Sequence, residues 1–137
     1  MTTETRTRIL SGFIALLMGT MSLGWTATAY AANIKVDTLI DGSLAGFCTL
    51  SDAFRAAKND IAVNGCAAGS GPDTITFGVS GTINMITYKF VDSGVITLDG
   101  AGQTIVLHRQ SLDSFGLGFL SVGSGATVQL KNLAIVT

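Results

Sequence analysis

The sequence predicts an all-β chain: a right-handed parallel β-helix of about three N-terminal coils, topped by a short capping α-helix and preceded by a signal-peptide helix. Three observations predict it. Short β-rich segments recur at a nearly fixed interval after Asp73, a helical stripe flanked by two cysteines stands just ahead of them, and an arginine-flanked apolar run opens the chain. The corresponding divisions are a signal peptide at 1–31, an N-terminal cap of strand, short helix and disulfide loop at 32–72, and the first coils at 73–137.

Arg6 and Arg8 precede an apolar run from Ile9 to Leu23, broken by Gly12 and Gly19 and followed by small residues. That order of a basic start, an apolar centre and a small-residue tail is the pattern of a secretory signal. The run has 15 residues, short against the roughly 20 that a membrane-spanning helix needs, so the mature chain is expected to carry no membrane span. Ala29-Tyr30-Ala31 places small side chains at Ala29 and Ala31, where a signal peptidase must admit them, and predicts cleavage after Ala31. Ala27-Thr28-Ala29 is the alternative site.

Removing residues 1–31 leaves six Lys and Arg against eight Asp and no Glu. Neutralising phosphates requires clustered basic residues, and this composition excludes nucleic acid and anionic membrane surfaces as partners. Pro72 is the single proline and glycine is abundant. High apolar content with frequent glycine fits short strands separated by turns, not disorder.

Both cysteines, Cys48 and Cys66, fall in the exported part, where an even count reads as one disulfide. Closing a loop of this size contributes roughly 3 kcal/mol by restricting the unfolded chain. Between them Leu50, Ala53, Phe54 and Ala57 stand at i, i+3, i+4 and i+7, an amphipathic helical stripe. Thr49 suits the N-cap with Asp52 three residues on, Lys58 suits the negative end of the helix dipole, and Asn59 suits the stop.

From Asp73 onward the strands align in three lanes: Ile75, Ile96 and Leu120; Ile83, Ile105 and Val128; Phe90, Leu112 and Ile135. The steps are 21 and 24, 22 and 23, and 22 and 23 residues, the period of a solenoid in which each coil stacks on the one before. Ile83, Ile105 and Val128 are thereby expected to share one inward-pointing lane.

The block from Cys48 to Lys58 resembles the motif of the CSLREA-domain proteins, exported bacterial proteins similar to polymorphic outer-membrane proteins. Cys48, Leu50, Ala53 and Ala56 fall on family positions, while Ser51 and Asp52 replace the family's Arg and Glu and Lys58 its Asn. Asp73 to Phe77, Leu98 to Gly102 and Gly125 to Leu133 also look like the family's first coils, extending the resemblance over roughly residues 34 to 137. The resemblance implies a cap followed by a parallel β-helix and implies no particular reaction. The ladder runs to Val136-Thr137 within a strand-like segment, which leads to the expectation of an N-terminal piece of a longer product that self-associates through an uncapped last coil.

No catalytic, cofactor-binding or metal-binding set emerges from the sequence. Asp92, Asp99 and Asp113 could serve as paired carboxylates or calcium ligands, but each precedes Ser or Gly, where Asp favours a turn, and nothing fixes their separation. His108-Arg109 reads as a solvated turn. Asp37 to Gly42 fails as a calcium loop because Leu39 and Cys48 occupy ligand positions. The reading that follows is an exported, non-catalytic surface or secreted protein, adhesin-like or structural, with a cell-surface or extracellular glycan or protein as partner. The alternative is a truncated carbohydrate-active enzyme, a polysaccharide lyase or glycoside hydrolase.

Overall fold

The computed structural model describes residues 30–109 and 118–136. The signal-peptide segment up to Ala29 and the expected lane position Leu112, with Asp113, lie outside the described residues. The elements run β1 (Asn33–Val36), α1 (Leu50–Asn59), β2 (Asp73–Phe77), β3 (Gly81–Met85), β4 (Lys89–Asp99), β5 (Ile105–Arg109), β6 (Leu120–Lys131) and β7 (Ala134–Val136). β1, β2, β4 and β6 form a four-stranded sheet in that order, and β3, β5 and β7 a three-stranded one. Every pairing of these strands is parallel.

The all-β, right-handed parallel β-helix expected from the sequence is therefore corrected. The chain is a mixed α/β arrangement of two parallel sheets with one short helix among the described residues, and the three lanes do not exist as drawn. Phe90 and Ile96, assigned to different lanes, both belong to β4, and Leu120 and Val128 both belong to β6. Ile75 pairs with Leu98, not Ile96, and Leu98 with Leu130. Ile83 pairs with Leu107, not Ile105, while Val128 lies in the other sheet against Ile96.

Two physical causes produced the misalignment. Side chains alternate with period two, so a register shifted by two residues buries the same face and hydrophobic pattern cannot distinguish it. The second cause is the segment Asp92-Ser93-Gly94, which reads as a turn but lies inside β4. There the pairing with β6 shifts between Val91 and Ser93 and then resumes at Ser93↔Gly125 and Gly94↔Ala126. Gly94 takes a φ of 84°, a conformation glycine adopts without steric cost, so the irregularity is absorbed without ending the strand.

The short helix expected from the apolar stripe is present. Thr49 is its N-cap, accepting from the Asp52 amide at 3.1 Å, which satisfies one of the four amides a helix start leaves unpaired. Lys58 lies in the last turn, and Asp60 closes the helix in the left-handed region at φ 52°. Leu50, Ala53, Phe54 and Ala57 are buried and α1 contacts β1, β2 and β4. Its apolar face thus joins the core made by Ile34, Val36, Ile75, Phe77, Ile96 and Leu98 from the larger sheet and Ile83, Met85, Ile105 and Leu107 from the smaller.

Cys48 and Cys66 are disulfide-bonded, with Cα atoms 4.5 Å apart, and both are buried. The bond ties the residue preceding the N-cap to the loop that follows α1. Reducing it in the folded protein, or replacing both cysteines by serine, is expected to lower the unfolding free energy by about 3 kcal/mol. Urea denaturation with and without reductant measures the difference.

Candidate binding cleft

The strand β4 enters its sheet with a charged residue at an inward position: Lys89 alternates with the buried Val91. An ammonium in that place needs a carboxylate, and the loop between β1 and α1 supplies it. Lys89 Nζ lies 2.6 Å from both carboxylate oxygens of Asp41, with both side chains almost fully buried. Lys89 also donates to the Thr87 carbonyl at 2.9 Å and the Thr87 hydroxyl at 2.7 Å. Asp41 accepts in addition from the Ile86 and Thr87 amides at 2.8 and 2.9 Å and from Ser51 Oγ at 2.6 Å. Every polar atom of the pair is engaged, the condition under which a buried ion pair is tolerated.

Burial acts against the charge of Asp41, but hydrogen bonds from Lys89 and Ser51 outweigh it and hold the carboxyl below its ordinary value. Burial pulls the Lys89 ammonium below its ordinary value, opposed by the Asp41 carboxylate.

A second buried carboxylate lies in the first turn of α1. Asp52 accepts from Ser43 Oγ at 3.0 Å, Thr49 Oγ1 at 3.1 Å, Asn64 Nδ2 at 2.8 Å and Arg55 at 3.2 Å. Burial raises its pKa, yet the hydrogen bonds from Asn64, Ser43 and Thr49 prevail and lower it. Asp52 thereby joins the loop before α1, the helix itself and the disulfide loop after it.

Between α1 and the start of β4 opens a cleft of about 390 Å³. Ser51, Thr87 and Lys89 lie toward the ion pair, Arg55, Lys58 and Asn59 come from α1, and Tyr88 and Phe90 from β4 and the residue before it. Tyr88 and Phe90 stand at i and i+2 and so share the outward face, each about half exposed. Lys58 Nζ lies 5.2 Å from the Phe90 ring centroid and 3.1 Å from Asp92. The three cations of this region are each matched by one carboxylate: Lys89 by Asp41, Arg55 by Asp52 and Lys58 by Asp92.

The carboxylates singled out in the sequence are not gathered into this cleft as a set. Asp92 is exposed and engaged by Lys58, whose hydrogen bond lowers its pKa. Asp99 accepts from the Ala101 amide at 2.9 Å and Asn132 Nδ2 at 2.8 Å, closing the turn after β4, and the Asn132 bond lowers its pKa. Asp113 lies outside the described residues. His108 is not in a turn but in β5, its Nδ1 3.0 Å from Asn84 Oδ1 on the neighbouring strand. Asp37 caps the loop onto Cys48, accepting from its amide at 2.9 Å. Among the described residues no group of His, Cys, Asp or Glu is arranged to hold a metal ion.

Sequence reasoning passed over Asp41 and Lys89 as a pair, because 48 residues separate them. The available signal was Lys89 itself, a charge at an inward position of an alternating segment. Comparison with protein-family models, curated proteins and solved structures finds no match.

Lys89→Met leaves Asp41 buried without its counter-ion and is expected to cost about 3–5 kcal/mol. Replacing both partners, as Asp41→Leu with Lys89→Met, should recover part of that loss in denaturant titrations. Acidification provides a second check. Asp41 and Asp52 have folded pKa values below the ordinary aspartate value of about 3.9, so the unfolded chain takes up protons first. Their stabilisation is complete above that value and is lost as pH falls through the folded values. Acid unfolding followed by circular dichroism should be shallower in Asp52→Asn than in the parent.

Proposed function

We propose that this chain is an exported, non-catalytic surface or secreted protein of the CSLREA type, adhesin-like or structural in role, whose cleft between α1 and β4 docks a neutral glycan. Export is supported by the arginine-flanked apolar run, by Ala29-Tyr30-Ala31 and by the Cys48–Cys66 bond, since structural disulfides persist in oxidising compartments. Among the described residues no helix is long and apolar enough to cross a membrane.

The observation that carries the recognition reading is the pairing of two outward aromatic rings with a charge-balanced polar wall. Aromatic faces give apolar contact to the C–H face of a sugar ring, and polar groups beside them set orientation. A site for phosphate or a uronic acid needs uncompensated positive charge. Here Arg55, Lys58 and Lys89 each already face a carboxylate. What the wall offers is donors and acceptors side by side, the complement of sugar hydroxyls. A non-catalytic role is supported by the separate employment of Asp92 in a surface ion pair and Asp99 in a turn, since glycoside hydrolysis requires two carboxyl groups flanking one bond. The exposed Ile135 and Val136 of β7 support self-association as a further property of the same surface protein.

Calorimetric titration of the exported protein with gluco-, manno- and galacto-oligosaccharides, and with their uronic counterparts, tests the reading. Binding to a neutral member is expected, weakened at least tenfold, about 1.4 kcal/mol, by Tyr88→Ala or Phe90→Ala and unchanged by Phe47→Ala, an exposed aromatic outside the cleft. Preference for the uronic series with steep salt dependence contradicts the neutral-glycan assignment, and turnover of any saccharide contradicts the non-catalytic one.

A further inference from the structure

Asp73 opens β2 on the inward face, in alternation with Ile75 and Phe77, and is 1% exposed. One of its oxygens is well served: Oδ1 accepts from the Ser70 amide at 2.8 Å and the Ala32 amide at 3.1 Å. The other, Oδ2, is buried and has no hydrogen-bond partner. A buried polar oxygen left so is costly, and the surrounding backbone is built close around it. A Cβ on Gly69 would come within 2.5 Å of Oδ2, so glycine at that place allows the carboxylate to sit there.

Ala32 is the residue that becomes the first of the mature chain when the bond after Ala31 is cut. In the uncut chain its nitrogen is an amide with a single hydrogen, spent on Oδ1. Hydrolysis breaks the Ala31 C–N bond, adds the hydroxyl of water to the Ala31 carbonyl carbon and its proton to the Ala32 nitrogen. A further proton from solvent makes that nitrogen an ammonium with three donors.

We infer that Asp73 is the receptor for the mature α-ammonium, and that signal cleavage between Ala31 and Ala32 completes the fold by forming a half-buried Ala32–Asp73 ion pair that also engages Oδ2. The inference rests on the proposed export and adds to it the position of the cut and its structural consequence. The nitrogen is already held in place: the Ala32 carbonyl accepts from the Thr74 amide at 2.9 Å, and Asn33 registers with Thr74 at the start of the β1–β2 pairing. Tyr30 and Ala31 are exposed, so their removal takes nothing from the core. Cleavage at the alternative site after Ala29 would leave Ala32 as an amide and Oδ2 unserved. The precursor thus lacks one contact to the buried Oδ2 that the processed chain gains.

The test uses the protein as exported from a bacterium. Intact mass should show a mature chain beginning at Ala32. A second precursor carries one serine inserted between Ala31 and Ala32, so that the new ammonium falls one residue short of Asp73. Its exported product is expected to melt about 5–10 °C lower. Asp73→Asn should lower the melting temperature of the Ala32-terminated chain and remove the effect of the insertion. A mature chain beginning at Tyr30, an insertion that leaves the melting temperature unchanged, or an insertion effect that persists in full in the Asp73→Asn background would each overturn the inference while leaving export intact. Should Asp73→Asn not accumulate, the insertion in the parental background decides alone. A chain that remains uncut in the cytoplasm overturns the export reading itself.

Discussion

The buried pair between Asp41 and Lys89 fixes the loop that precedes α1 against the start of β4. Lys89 begins β4, and Asp41 sits in the loop that leads from β1 to α1. Because both charges are removed from water, neither can be relinquished without stranding the other. The position of the loop and the entry of β4 are consequently determined together. The Ile86 and Thr87 amides, which a strand start would otherwise leave unpaired, are taken up by the same carboxylate. Ser51 carries the connection into the first turn of α1.

Around that pair the molecule uses buried carboxylates as joints. Asp52 binds together two loops and a helix N-terminus, and Asp73 gathers the Ser70 amide and the nitrogen of Ala32 at the start of the sheet. Each lies at a border between segments whose backbone groups have no ladder partner. A carboxylate can accept several amides at once, so it serves where two or three chain directions meet and a hydroxyl or amide would not suffice. Among the described residues Asp41, Asp52 and Asp73 are thus occupied with construction.

The cleft follows from the same construction. α1 is brought over the start of β4 by the loop that Asp41 holds, and this leaves Arg55 and Lys58 opposite Tyr88 and Phe90. Lys58 over the Phe90 ring and against Asp92 links the two walls at the rim. Neither aromatic is needed in the core, since their strand neighbours Lys89 and Val91 supply the inward face.

Local features were legible in the amino-acid order. The helix at 50–59, its Thr49 cap, the Cys48–Cys66 bond and the inward placement of Ile83 and Ile105 all follow from spacings within one turn or one pleat, or from the count of two cysteines. Strand register and sheet membership did not follow. A two-residue shift preserves burial, so Ile83 could be matched to Ile105 when it pairs with Leu107, and the Asp92-Ser93-Gly94 irregularity inside β4 carries the same residues as a turn. The Asp41–Lys89 and Ala32–Asp73 contacts join residues 48 and 41 positions apart. Charge and burial at such distances are decided only when the sheets assemble, because the energy of a buried carboxylate depends on which partner the tertiary fold brings to it and not on its neighbours in the chain.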